Sequence, residues 1–466
     1  MVHDYAWRRW DKALTLNAKP VTRVEEPLLP ERSPLSPEIC QPRLSLSDAI
    51  ALIVGLVIGA GIFETPSLVA ANLGSARDIL GAWIVGGTIS LLGALCYAEL
   101  ATAYPHVGGS YHYLQLAFGQ RLATLFAWAR MTVIQTGSIA LLAFVLGDYA
   151  SQIVSLGSYS PAIYAAIAVT VLTLLNMLGL RQSKRAQTWV TSALVLGLLL
   201  VIVLGLAFTP ATSAATPIGS RPTWGMALVF VMLSYGGWHE AAYLSAEIEQ
   251  PRRNVARSLL WGVATITTVY VLINWAYLHS LGVSGMANSQ AIAADLLRRT
   301  LGEPGALLVS LLVVLATLGS INASILTGAR TSYAVGQDVS PLSFLDRWQP
   351  GTSTPTAAYL LQGAIALALV GLGTLTRQGF ETMVDYTAPI FWGFFLLSTA
   401  SLMVLRSRHP RRLRPFQVPL YPAIPLVFCT VCLYLFCSSL IYSGVGALVG
   451  VLVLVLGIPL TWPSRL

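Results

Sequence analysis

The stretch GLVIGAGIFETP, Gly55 to Pro66, lies within an apolar run that extends from about residue 47 to residue 72. The run is long enough to cross a bilayer, which takes about 20 helical residues, but its three glycines make the helix easy to interrupt. An interruption in hydrocarbon frees N–H and C=O groups, and such backbone is tolerated only where it lines a cavity or contacts a ligand. We therefore predict that residues 59–61 unwind to form a binding site. A half-helix beginning at Ile62 would direct its positive N-terminal end at an anion such as a carboxylate.

These glycines also have a second interpretation. Gly55 and Gly59 are four residues apart, which is the small-xxx-small spacing that lets two membrane helices pack closely. The first motif alone does not decide between a broken helix and a packing face.

The composition places the chain in the membrane. Of its 466 residues, 55% are apolar and only 10% are charged, whereas a soluble protein has about 25% charged residues. Apolar runs of spanning length follow one another without a soluble block between them. We predict twelve transmembrane helices, near residues 47–72, 78–103, 122–152, 160–180, 186–209, 223–247, 257–281, 305–336, 356–376, 381–405, 418–440 and 443–463.

The net charge of +8 is explained by a bias between loops rather than by nucleic-acid binding. With a cytoplasmic N-terminus, the inside segments hold 21 Lys and Arg residues and the outside loops hold five. The positive-inside rule then places both termini in the cytoplasm of a multi-pass protein of the plasma (cell inner) membrane. Membrane lipid is therefore an expected partner, and nucleic acid is not.

A second glycine interruption lies five spans after the first. The sixth apolar run contains VFVMLSYGGWHEAAYLSAEIEQPRRN, Val229 to Asn254, in which Gly236 and Gly237 break a spanning helix. Two broken helices at corresponding positions of two five-span halves are typical of an inverted-repeat transporter with its site at the midplane. Close packing would have to explain both interruptions, so we favour the broken-helix interpretation.

The predicted fold is all-α, with broken helices 1 and 6. Residues 1–46 are rich in proline and mixed charges, without an apolar period, and form a predicted disordered cytoplasmic tail. The transporter core is 47–405, with repeats at about 47–209 and 223–405. Residues 406–466 hold two additional C-terminal transmembrane helices.

Four motifs resemble a known group of transporters. IGAGIF and the later YAELATAYPHVGGSYHYL resemble the amino acid, polyamine and organocation (APC) superfamily. SYGGWH, together with LATLGSINASILTGARTSYAVGQD, is most similar to its L-type amino acid transporter branch. The resemblance implies a LeuT-like five-plus-five inverted repeat, with exchange or facilitated movement that needs no sodium. It also implies that the carbonyls of Val57, Leu233 and Gly236 take the substrate ammonium, and that the N–H groups of Ala60 and Gly61 take its carboxylate.

The predicted substrate-binding set combines both breaks with nearby side chains. Gln135 and Ser138 share a helix face and either line the pocket or bridge helices. His239 either faces the substrate or is a core histidine, and Asn322 is a buried amide in need of partners. The full set is Val57, Ile58, Gly59, Ala60, Gly61, Gln135, Ser138, Leu233, Ser234, Gly236, Gly237, Trp238, His239 and Asn322.

The chain departs from its resembled branch in informative ways. A lysine that many such transporters carry in the fifth helix is matched here by Leu194, which argues against lysine-gated proton coupling. Leu233 stands where a gating aromatic is common. The loop 155–160 has no cysteine, so we expect no disulfide-linked accessory chain.

Charged residues near the membrane ends have structural interpretations. We expect Glu99 to accept hydrogen bonds from the N–H groups of the Gly108-Gly109 loop, although an intramembrane carboxylate is a functional candidate by default. Arg130 lies near the inner end of its span, where we expect it to snorkel rather than serve the transport pathway.

The function indicated is a secondary active amino acid permease or exchanger that moves neutral L-amino acids by alternating access. A neutral substrate is favoured because no acidic residue is clearly placed in the pocket, with Glu240 as the one exception left open. The alternative is a proton- or sodium-coupled symporter of amino acids or polyamines. An enzyme would need a nucleophile and base or a metal motif such as HExxH, and we find none, so no catalytic residue, metal or cofactor is predicted.

Overall fold

The computed structural model describes most of the chain as helices. The predicted tail, except residues 45 and 46, lies outside the described part, as does Glu240. The described residues are 45–104, 106, 108–179, 184–208, 222–239, 248–347, 354–376, 378–442 and 444–461.

Eight helices in the described part are long and apolar enough to span a membrane, and four shorter apolar helices accompany them. The all-α membrane class is therefore confirmed, whereas the count of twelve spans and the inverted repeat stay predictions. The helices are α1 Leu46–Val57, α2 Thr65–Leu73, α3 Ala76–Ala103, α4 Ser110–Phe118, α5 Gln120–Ile153, α6 Ser160–Met177, α7 Lys184–Ala207, α8 Trp224–Ser234, α9 Pro251–Ala287, α10 Ile292–Leu301, α11 Glu303–Asp338, α12 Thr356–Thr376, α13 Gly379–Arg408, α14 Ala423–Tyr442 and α15 Val445–Leu456.

The first apolar run is broken at the predicted place. Helix α1 ends at Val57, and Ile58 and Gly59 adopt extended backbone before a short 3-10 turn, Ala60–Phe63. The chain then enters α2 at Thr65, three residues later than the predicted start at Ile62, because residues 60–63 form the 3-10 turn. Pro66 is tolerated in the first turn of α2 because it has no N–H to leave unpaired. A single spanning sequence thus forms two half-helices.

The second break begins at the end of α8. Ser234 is the last helical residue, and Tyr235, Gly236 and Gly237 form turns. Gly237 has a φ of 106°, which lies in the left-handed half of backbone space, where a side chain is strained. This conformation explains the need for glycine at the break.

Helix α5 contains a π-helical segment, Arg130–Ile134, in which the N–H of Gln135 donates to the carbonyl of Arg130. A π turn inserts one residue into the α-helical pattern and is often found at functional sites. Just after it, a Cβ on Gly137 would overlap the side chain of Thr387 on α13. Helices α5 and α13 therefore approach very closely at this level.

The loops at one end of the bundle correct our expectation for Glu99. Its carboxylate accepts a 2.6 Å hydrogen bond from Arg406 Nε and another of 2.6 Å from the backbone N–H of Val418. The Gly108-Gly109 loop bonds locally to His106 instead. Sequence-local reasoning missed partners more than 300 residues away. We call this the basic end, after Arg406, Arg408, Arg411, Arg412 and Arg414.

Candidate functional site

The two helix breaks lie against each other. The hydroxyls of Thr65, at the start of α2, and Ser234, at the end of α8, are hydrogen-bonded at 2.6 Å. A Cβ on Gly61 would stand 3.2 Å from the Ser234 hydroxyl oxygen, so only glycine allows this approach without movement. Residues 169 positions apart in the sequence are thereby brought to one point.

Tyr270 on α9 joins the same two segments. Its buried hydroxyl lies 3.1 Å from the carbonyl oxygen of Val57 and 2.9 Å from that of Ser234, and it shares one proton between them. Both carbonyls are ones that a continuous helix would use internally. Sequence reasoning missed Tyr270, because a tyrosine within an apolar span gives no signal of its partner.

At the two breaks the glycines are partly exposed, whereas the residues around them are buried. Gly59, Gly61, Gly236 and Gly237 are partly exposed, whereas their neighbours Ile58, Ala60, Ser234 and Trp238 are buried. No side chain of the described residues caps the 3-10 turn at Gly59, and the first N–H groups of such a turn have no acceptor within it. The Leu233 carbonyl accepts the N–H of Gly236 at 3.1 Å and also that of Tyr235.

A cavity of about 470 Å³ adjoins the breaks, within the range of small-molecule sites. Three helices line it, each with one face at helical spacing. Helix α5 contributes Phe126, Arg130, Ile134, Gln135 and Ser138; α11 contributes Ser320, Ala323, Ser324 and Thr327; α13 contributes Phe391, Phe394, Phe395 and Ser398; and Gly55, Ser110, Gly237 and His239 complete the lining.

Gln135 and Ser138 line the cavity, and each also donates a hydrogen bond to a backbone carbonyl. The Gln135 amide donates to the Ser324 carbonyl of α11 at 2.8 Å, and the Ser138 hydroxyl donates to the Ile134 carbonyl within α5. Gln135 thus both lines the cavity and bridges two helices, the two alternatives that the sequence left open. Its role towards a substrate stays a prediction.

His239 lines the cavity at the edge of an aromatic cluster. Its ring contacts those of Tyr97, Phe391 and Phe395, with centroids 5.1 to 6.5 Å apart. Trp238 is buried and contacts the rings of Tyr97, Phe428 and His239 itself. The structure therefore places His239 at the cavity and Trp238 in the core beside it.

The structure does not place Asn322 with the cavity residues. Its side-chain oxygen accepts a 2.6 Å hydrogen bond from the amide of Asn176 on α6. The neighbouring positions Ala323 and Ser324 line the cavity instead. The sequence indicated the correct helix but not which of its faces meets the cavity.

Leu194 and Arg130 are the two remaining positions for which the sequence made a prediction about charge. Leu194, at the position of the resembled branch's lysine, is a buried core residue. Arg130 also lines the cavity, and whether it snorkels or serves the transport pathway stays a prediction. Among the described lining residues there is no Asp or Glu.

Comparison with known proteins agrees with this geometry. The model of the amino acid permease family matches residues 44–460. The chain belongs to the amino acid permease family. Membership makes it a multi-pass membrane protein of a transporter family rather than an enzyme family, and it confirms the resemblance seen in the motifs.

Named relatives of this permease are amino acid transporters and exchangers. It is 30% identical over 412 residues to the b(0,+)-type amino acid transporter 1 of Mus musculus, covering 86% of this chain and 83% of the relative. It is 27% identical to the cystine/glutamate transporter of Homo sapiens, covering 90% and 84%. It is 26% identical to the serine/threonine exchanger SteT of Bacillus subtilis (strain 168), covering 91% and 96%.

Proposed function

We propose that this permease is a secondary active exchanger that moves neutral L-amino acids across the plasma (cell inner) membrane by alternating access. The observation that carries the proposal is the meeting of two broken helices beside a cavity. Free N–H groups at Ala60 and Gly61 suit a carboxylate, and carbonyls at Val57, Leu233 and Gly236 suit an ammonium. Every α-amino acid carries both groups, so the breaks recognise what all substrates share.

The residues that line the cavity support a neutral rather than a cationic side chain. The described lining residues include no Asp or Glu that would bind a cationic side chain. Hydroxyl and aromatic side chains make up much of the rest, and these suit small polar or apolar side chains.

Exchange without ion coupling is the mechanism that we propose. Leu194 is buried and apolar, so the position matched to the resembled branch's lysine supplies no titratable group. The basic end faces the cytoplasm under the positive-inside rule, which puts both termini there. No disulfide-linked accessory chain takes part, since the loop 155–160 offers no cysteine.

Reconstitution of the full chain into proteoliposomes tests the proposal. Labelled serine, threonine, leucine, arginine and glutamate are offered with and without unlabelled internal amino acid, sodium or a pH gradient, and protein-free liposomes serve as control. We expect uptake of a neutral amino acid that internal amino acid stimulates and that needs no sodium. Uptake that occurs only with a sodium or proton gradient would establish the symporter alternative instead, and preferred uptake of arginine would overturn the substrate class.

A further inference from the structure

The segment 409–422, which joins α13 to α14 at the basic end, is fastened to the helix bundle. Glu99 of α3 is fully buried, accepts the N–H of Val418 at 2.6 Å and lies 3.5 Å from the guanidinium of Arg414. Arg412 donates to the backbone carbonyl of the last residue of α3 at 2.9 Å. These contacts fix the segment against α3, so its outward-facing side chains form a defined surface.

Two arginines of the basic end remain outside this internal pairing. Arg411 is exposed and makes no hydrogen bond or ion pair with any residue that the structure describes. Arg408 is also exposed and gives one N–H to the backbone carbonyl of Leu116, at 3.4 Å. The two arginines are three positions apart, so their Cα atoms lie within about 11 Å of each other. Side chains of this length can therefore reach a single anion together.

Two leucines close to these arginines are almost fully exposed. Leu413 is 84% exposed and Leu420 is 78% exposed, although water is an unfavourable environment for such side chains. Leu420 lies three residues before α14, where Leu426 and Val427 continue the exposed apolar surface. Because α13 and α14 are both long and apolar enough to span a membrane, the segment 409–422 lies at the level where acyl chains meet headgroups. Apolar and cationic side chains thus occur together at that level.

We propose that the segment 409–422, together with Arg408, binds an anionic phospholipid from the leaflet at the basic end. Arg408 and Arg411 hold the phosphate, and Leu413 and Leu420 contact the acyl chains. The guanidinium fork matches phosphate oxygens with two parallel hydrogen bonds, and clusters of basic residues beside a membrane helix attract anionic lipid. A soluble anion or an acidic peptide would satisfy the arginines but would leave the leucines in water. The proposal does not depend on which substrate the permease moves.

Lipid titration of the purified full chain in a neutral detergent tests the headgroup contact. Phosphatidylglycerol and phosphatidylcholine with identical acyl chains are titrated separately, and native mass spectrometry gives the Kd for each. We expect the unaltered protein to bind phosphatidylglycerol at least about tenfold more tightly. An arginine near the membrane surface contributes about fivefold in affinity for anionic lipid. Arg408→Gln and Arg411→Gln should therefore each raise that Kd about fivefold, and the double variant about 25-fold, with the Kd for phosphatidylcholine nearly unchanged.

Arg77→Gln is the matched control, because it removes the same charge from a distant site. Arg77 is exposed near the start of α3, about 33 Å along the helix axis from Glu99. Both Kd values should stay within about twofold of those of the unaltered protein. If Arg77→Gln weakened phosphatidylglycerol binding as much as Arg411→Gln does, net charge would explain the effect and the site would be refuted.

The leucines separate a lipid from a soluble anion. Replacing Leu413 and Leu420 together by serine should raise the Kd of both phospholipids by the same factor, because both carry the same acyl chains. Equal affinity of the unaltered protein for the two phospholipids would overturn the proposal. So would leucine variants that bind normally while millimolar inorganic phosphate displaces phosphatidylglycerol, since the site would then take a free anion. Thermal unfolding without lipid checks that each variant is folded, and the single variants carry the test if a double variant is not.

Discussion

Removing the Tyr270 hydroxyl should uncouple the two helix breaks. Tyr270→Phe keeps the ring and takes away the proton that the carbonyls of Val57 and Ser234 share at 3.1 and 2.9 Å. Tyr270 is fully buried, so water does not readily replace the lost donor. Leaving buried carbonyl groups unsatisfied costs about 1 to 3 kcal/mol, which corresponds to roughly five- to 150-fold in an equilibrium. We expect kcat/KM for exchange in proteoliposomes to fall within that range, with a lower temperature of thermal unfolding.

Tyr277→Phe is a matched control on the same helix. Tyr277 is also fully buried, but its hydroxyl has no hydrogen-bond partner among the described residues. Because deleting an unsatisfied buried hydroxyl is neutral or favourable, its exchange rate should stay within about twofold of the unaltered protein and its unfolding temperature should not fall. Equal behaviour of the two variants would refute the idea that Tyr270 holds the breaks in register.

Three further predictions follow from single contacts. Gly61→Ala should reduce exchange at least about tenfold by pressing a Cβ against Ser234, whereas Gly371→Ala, which meets nothing within 4 Å, should not change uptake. Glu99→Gln should lower the free energy of unfolding by about 3 to 5 kcal/mol because Arg406 loses its buried partner. As the control, Glu303→Gln removes an exposed ion pair with Arg298 and should lower it by under about 1 kcal/mol. Thermal unfolding measures both. Burial and the nearby His106 lower the pKa of His112 to about 4, below its ordinary value near 6.5. The stability that the neutral ring contributes is therefore present above pH 6.5 and declines as the pH falls towards 4. His112→Gln should make the unfolding temperature less dependent on pH over that interval, and an unchanged pH dependence would contradict this.

The sequence alone determined the class of protein and the existence of the first break. Both depend on local chemistry. A bilayer requires long apolar helices, and glycines followed by a proline lower the free energy needed to interrupt a helix at that place. Family membership was also visible in short motifs around those glycines, because the backbone geometry that they allow belongs to the site itself.

Tertiary structure decided which side chains meet. The π segment at Arg130–Ile134 shifts the helical phase by one residue, so the face of α5 that reaches the cavity does not follow from a regular 3.6-residue period. Asn322 turns to Asn176 while Ala323 and Ser324 face the cavity, and Glu99 finds Arg406 across 307 positions. Each of these contacts depends on the rotation of one helix against another. Packing of whole helices sets that rotation, and no local pattern in the chain encodes it.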